Sequence, residues 1–261
     1  MQSTCAGSTQ RPADRPPTEL SVTSMNFTMN TLDVQFDLGA ESGDEAQEST
    51  LAVEARLQAV RDRIRELPAA VGADHVRLWL DEATLLVRLQ RGTDAWARAR
   101  PTFDYLIETE SWESAVEACE ILFLADLPGS LGALGHGVWL AVTFPIDPRL
   151  TVSLLQHVVN DTPDDADGAA VAAATAAYIV GLRATGKQLN DLSFHTMQLL
   201  GSVARRHADI DDQDGFDAWI KRLELRDPEQ FLVRLRNVVD VLVQDDWWLD
   251  RDAIRARLPV N

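Results

Sequence analysis

Lysine is nearly missing from this chain. Lys187 and Lys221 are the only two among 24 basic residues, so arginine carries almost all of the positive charge. Cysteine is as scarce: Cys5 and Cys119 are too few for a disulfide framework, and Cys119 falls in an apolar helical pattern that reads as a small buried thiol. The opening "MQSTCAGSTQRPADRPP" has neither a basic start nor an apolar run, and no lipobox-like run precedes Cys5, so the cytoplasm is the expected setting. The bias toward Arg, Ala, Asp and Val suggests a GC-rich, bacterial genome, and a salt-tolerant host also fits the acidity.

Motifs for catalysis and metal binding are missing as well. His75, His136, His157, His195 and His207 are scattered, with no HxxxH or HExxH pair. No helix carries the Glu-x-x-His signature of a carboxylate-bridged metal site, and no Ser-His-Asp order or nucleophile elbow stands out. The acidic stretches "NDTPDDADG" (160–168) and "DIDDQDG" (209–215) put the wrong residues at positions 1 and 12 of an EF-hand loop: Pro163 and Ala174 in one register, Ile210 and Lys221 in the other. They read as loops that cap helix starts. No cofactor or metal is expected, and a non-enzymatic role is favoured.

The stretch 127–148, "LPGSLGALGHGVWLAVTFPIDP", has no charge between Leu127 and Phe144. A dinucleotide loop needs a third glycine where Leu140 stands and a strand in front of it. A membrane span needs about 20 apolar residues, and here Pro128, Ser130 and four glycines dilute the run. A core helix remains, with Ser130 as its cap, Phe144 and Pro145 at its end, and Leu134, Val138, Trp139 and Val142 on its packing face. Its glycines each cost about 1 kcal/mol relative to alanine, so they imply close helix packing or a groove left open for a partner.

Acidity dominates what is present: Asp plus Glu number 41 and the formal net charge is −17. Such a chain repels phosphate backbones, so nucleic-acid binding is not expected. Arg56 to Arg100 is the one weakly basic region. Its arginines interleave with carboxylates, as on a solvated helix surface with i,i+4 pairs.

Residues 1–49 read as a disordered tail, with Met25 an alternative start. Within it Leu32, Val34, Phe36 and Leu38 alternate with polar residues, the mark of an extended arm over 31–38. The arm either docks across the helices or adds to a partner's sheet edge. From residue 50 to 261 apolar residues recur at helical spacing in a single all-α domain. Pro68 and Gly72 end the first helix, Gly92 ends the second, Thr93 or Asp94 caps the third, and Pro101 is expected to kink or restart it. Asp147-Pro148 and Asp227-Pro228 are strong start signals. Aligned on them, Leu155, Val158 and Val159 match Leu235, Val238 and Val239 at an offset of 80, a hint of hairpin repeats.

The fold expected is therefore about ten helices in stacked hairpins, HEAT- or TPR-like or an irregular α-bundle. "WESAVEACEILFLADLP" resembles a tetratricopeptide or HEAT-like unit, but tetratricopeptide small-residue spacing is not kept, so no family follows. The expected function is a scaffold or protein-interaction role. Leu32, Val34 and Phe36 on the arm and the tandem Trp247 and Trp248 are the candidate partner-binding residues, although the tryptophans also suit anchoring of the last helix. An all-α enzyme or carrier with an inter-helix site around His136, His157 and His195 is the alternative. A regulator touching nucleic acid through Arg56–Arg100 is the second.

Overall fold

The computed structural model describes residues 49–258, and the tail, the 31–38 arm and its Leu32, Val34 and Phe36 lie outside them. The described residues form eleven helices and no strand: α1 (Thr50–Glu66), α2 (Ala73–Arg88), α3 (Gly92–Glu108), α4 (Trp112–Leu124), α5 (Ser130–Thr143), α6 (Pro148–Asp161), α7 (Gly168–Arg183), α8 (Gly186–Ala208), α9 (Gln213–Arg222), α10 (Pro228–Val243) and α11 (Arg251–Arg255).

The Asp-Pro signals work as elementary chemistry dictates. Asp147 accepts from the Arg149 amide and Asp227 from the Glu229 amide, each with proline in the first turn. Several local expectations are corrected. Gly129, not Ser130, caps α5, because the Ser130 hydroxyl turns back to donate to the Leu122 carbonyl and accept from the Leu127 amide. Helix α2 stops at Arg88, three residues before the expected end, and Gln90 makes the turn at φ 56°. Gly92 then opens α3 rather than closing α2. A Cβ there would stand 2.1 Å from the Ala125 carbonyl oxygen, so only glycine fits. Pro101 sits inside α3 without dividing it.

The centre is four helices. Helix α5 packs on α6 and α10, and α7 packs on the same two, so α5 and α7 lie on one diagonal and α6 and α10 on the other. The residues matched at the 80-residue offset thus fall on opposite sides of the same pair, with Leu155, Val158 and Val159 buried on α6 and Leu235 and Val239 buried on α10. Helices α1 to α4 extend from α5 as successive neighbours, and α8 and α9 extend from α7.

Arginines close this frame by capping carbonyls that helix ends leave unpaired. Arg183 of α7 donates to Ala141 O (2.7 Å) and Val142 O (3.0 Å) at the end of α5. Arg206 of α8 donates to Val159 O (2.9 Å) on α6, and Arg234 of α10 donates to Leu223 O behind α9. In the outer helices Glu82 of α2 is buried between Arg61 of α1 (2.8 Å) and Arg98 of α3 (2.7 Å). The Arg61 contact is an aligned hydrogen bond, whereas the Arg98 contact is one of charge without that alignment.

Candidate functional site

The uncharged α5 is buried from Ala133 to Ala141, His136 included. Its His136 ring is bonded at both nitrogens. Nδ1 donates to the Gly132 carbonyl (2.6 Å), and Nε2 accepts from the backbone amide of Trp248 (2.9 Å). These roles require the neutral imidazole. Burial, above all, pushes its pKa down to about 4. Trp248 then stacks on the ring (4.3 Å between centroids, 15° between planes), with the Arg100 guanidinium 4.3 Å over the Trp248 ring. Trp247 meets His136 and Trp139 edge-on, with Arg251 3.8 Å over its ring. Both tryptophans are half-buried and fasten the segment after α10 across α5.

That fastening leaves a groove beside it. Val138, Trp139, Val142 and Thr143 of α5 form one wall, and Leu232, Val233, Leu235, Arg236 and Val239 of α10 the other. Arg251 and Arg255 of α11 complete the lining, and the volume is about 300 Å³. Its shape follows from Gly135. A Cβ there would lie 2.6 Å from Val243 Cγ2 and 3.0 Å from Leu242 Cβ, so α10 is drawn in close at that level. The two helices run antiparallel, and further along the larger Trp139 and Val142 stand where a glycine stands at the pinch.

The groove is apolar below and cationic above. Val233 is 61 % exposed on its wall. Arg236 (3.8 Å) and Arg251 (3.1 Å) share Asp240, and Arg255 lies 3.8 Å from Asp252. Three arginines and no carboxylate line the groove itself, in a chain of net −17.

A second concavity, about 370 Å³, lies among α2, α4 and the start of α6, lined by Arg77, Glu113, Glu117, Glu120, Asp147 and Arg149 among others. Burial raises the Glu117 pKa, against the opposing pull of Arg77. At its edge the Ser153 hydroxyl donates to Glu120, and His157 Nε2 stands 3.7 Å from the same carboxylate. The serine hydroxyl thus goes to a carboxylate, not to an imidazole, unlike a histidine-activated nucleophile. His195 Nε2 bonds Gln156 Oε1 (3.0 Å), and burial lowers its pKa. His157 and His195 therefore belong to one neighbourhood, and His136 to another.

The remaining histidines are also tied into the fold. His75 Nδ1 accepts from the Gly72 amide at the start of α2. His207 Nδ1 accepts from the Trp219 indole (3.1 Å), and its Nε2 faces Asp167 (3.2 Å). Among the described residues no three His, Cys, Asp or Glu side chains are grouped to hold a metal ion. Cys119 is fully buried where α4 meets Gly137 of α5, and burial pushes its thiol pKa up. The acidic loops cap and pair: Asp212 accepts from the Gly215 amide, Asp164 meets Arg206, and Asp167 meets Arg234. In the Arg56–Arg100 region, Arg65 pairs with Asp62, Arg77 with Asp81 and Glu117, Arg91 with Asp94, and Arg100 with Asp104.

Of the candidates read from sequence, Trp247 touches two groove-lining residues, Trp139 and Arg251, while Trp248 is turned to His136, Phe103 and Trp96. The groove itself was missed, because it joins α5 to a helix about 100 residues later. The glycines of α5 allow for a groove there, and Val233 among the arginines of α10 is the trace of its other wall. No helix among the described residues is long and apolar enough to cross a membrane. Compared with protein-family models, with curated proteins and with solved structures, the chain gives no significant match.

Proposed function

We propose that this chain is a non-enzymatic helical scaffold of the bacterial cytoplasm that docks a protein partner in the groove between α5 and α10. One observation carries the reading: an apolar trough with an exposed valine wall and an arginine rim, on a chain otherwise strongly acidic. Apolar side chains gain by leaving water there, and acidic neighbours gain by meeting the rim. The partner's segment is accordingly apolar and acidic.

The test compares full-length protein with Val233→Asp as baits for the host's soluble proteins, followed by titration of the purified captured protein. Val233 is exposed, so the substitution leaves the fold intact by circular dichroism. A 1:1 isotherm weakened at least tenfold by Val233→Asp is the expected result. An isotherm unchanged by the substitution, or no stoichiometric partner, overturns the proposal.

A second reading, an all-α protein with an inter-helix metal or cofactor site, rests on Glu120, Ser153 and His157 at the edge of the α2–α4–α6 concavity. Metal analysis and an absorption spectrum of the purified chain test it. One metal ion or chromophore per chain would put it ahead of the scaffold reading.

A further inference from the structure

We infer that the chain supplies a competitor for its own groove: residues 31–38 dock there in cis, with Val34 and Phe36 in the trough and Asp33 and Asp37 against Arg236, Arg251 and Arg255. This rests on the groove reading above and adds its regulation, since arm and partner then exclude one another.

Three observations point to this occupant. The first is pattern. In an extended segment side chains two apart point the same way about 6.6 Å from one another. The α10 wall from Leu232 to Val239 runs about 10 Å along its axis, which suits two such side chains side by side. The second is charge. Residues 31–48 carry Asp33, Asp37, Glu41, Asp44, Glu45 and Glu48 and no basic residue, which opposes the rim. Long arginine stems lie along apolar surface and carry their heads over the outer face of a seated strand, where the two aspartates stand.

The third is reach. Ten residues, 39–48, join the arm to the described helices and extend up to about 33–36 Å. A chain of contacts leads from α1 to the groove. Glu54 in its second turn lies 3.9 Å from Arg91, just ahead of α3. One turn on, Trp96 meets Trp248 edge-on at 6.0 Å. Trp247, the residue before it in sequence, touches Trp139 and Arg251, both of which line the groove. A tether of this length holds the arm at an effective concentration on the order of millimolar, enough for a weak segment to occupy the site.

Disulfide trapping in the full-length chain tests this without any partner. In a Cys5→Ser background, with Cys119 left buried, Phe36→Cys is combined with Val233→Cys on the groove wall or with Val241→Cys, which is exposed on the same helix but does not line the groove. The expected result is an intramolecular 36–233 bond forming at least ten times faster than 36–241. Equal rates, or no bond, overturn the proposal, and a bond joining two chains overturns the cis arrangement. As a second measurement, a labelled peptide of residues 29–41 should bind the Val34→Asp/Phe36→Asp chain at least ten times more tightly than the unsubstituted chain. Equal affinities would count against occupancy. The two proposals fail separately. If trapping succeeds while Val233→Asp leaves partner binding intact, the arm stands and the groove is not the partner's site. If trapping fails while Val233→Asp abolishes partner binding, the groove stands without its competitor.

Discussion

Helices α5 and α7 face the same problem and solve it differently. Each is buried on most of its circumference, and each is flanked by α6 and α10. Helix α7 meets its neighbours with alanines, Ala169, Ala170, Ala172, Ala173, Ala174 and Ala176, all fully or almost fully buried. Alanine is the best helix former, so α7 combines close packing with helix propensity. Helix α5 instead spends glycines. At Gly135 and Gly137 even a methyl group would intrude, against Val243 and Leu242 in one case and Cys119 and Leu154 in the other. The gain is approach closer than a Cβ permits. It comes with a helix that needs outside support, which the Trp248–His136 stack supplies, and with a trough where the pinch at Gly135 gives way to larger side chains. Alanine closes one half of the bundle, and glycine leaves the other half with a site.

The largest expected effect is on that support. Trp248→Ala removes the stack over His136 and the surface under Arg100, and is expected to cost about 2–4 kcal/mol of unfolding free energy, measured by denaturant titration. Trp219, far from α5, serves as a comparison for a tryptophan lost from elsewhere in the core.

Acid should loosen the α5 half next. Unfolded, His136 takes up a proton near pH 6.5, while in the folded chain it does so only near 4. The unfolded state therefore binds more protons between these values, so stability is full above pH 6.5 and falls as pH drops toward 4. By pH 5 the loss from this group is about 2 kcal/mol. Urea titrations at pH 7.5 and 5 measure it, and a His136→Asn variant should lose correspondingly less between the two pH values. An equal loss in both proteins would break the assignment.

Glycine substitutions test the contrast most directly. Gly135→Ala is expected to destabilise by about 1–2 kcal/mol, because a stiff valine and a leucine Cβ cannot move aside cheaply. Gly181→Ala in α7 meets nothing within 4 Å and should stabilise by about 0.5–1 kcal/mol through helix propensity alone. Opposite signs in the two melting temperatures sharpen the comparison, and equal signs dissolve it.

Much of this was legible in the chain. Asp147-Pro148 and Asp227-Pro228 mark helix starts by chemistry confined to three residues, and periodic apolar positions mark the helices between them. The glycines of α5 announced close approach or an open groove. They did not say which helix approaches, because Gly135 meets Val243, which is 108 residues away in the chain. Ser130 misled for a similar reason: its hydroxyl had a better partner in the Leu122 carbonyl, exposed by the end of the preceding helix.

Local chemistry in the sequence thus determined that residues 50 onward wind into rods, where most of the rods begin, and that α5 belongs inside. Only the tertiary structure decided that α10 returns to lie across both α5 and α7, that His136 is sealed by a tryptophan 112 positions later, and that three arginines gather beside exposed valine. The reason is physical. A helix start depends on groups within one turn, whereas a groove is the space left between side chains of distant rods, set by how closely each pair can approach.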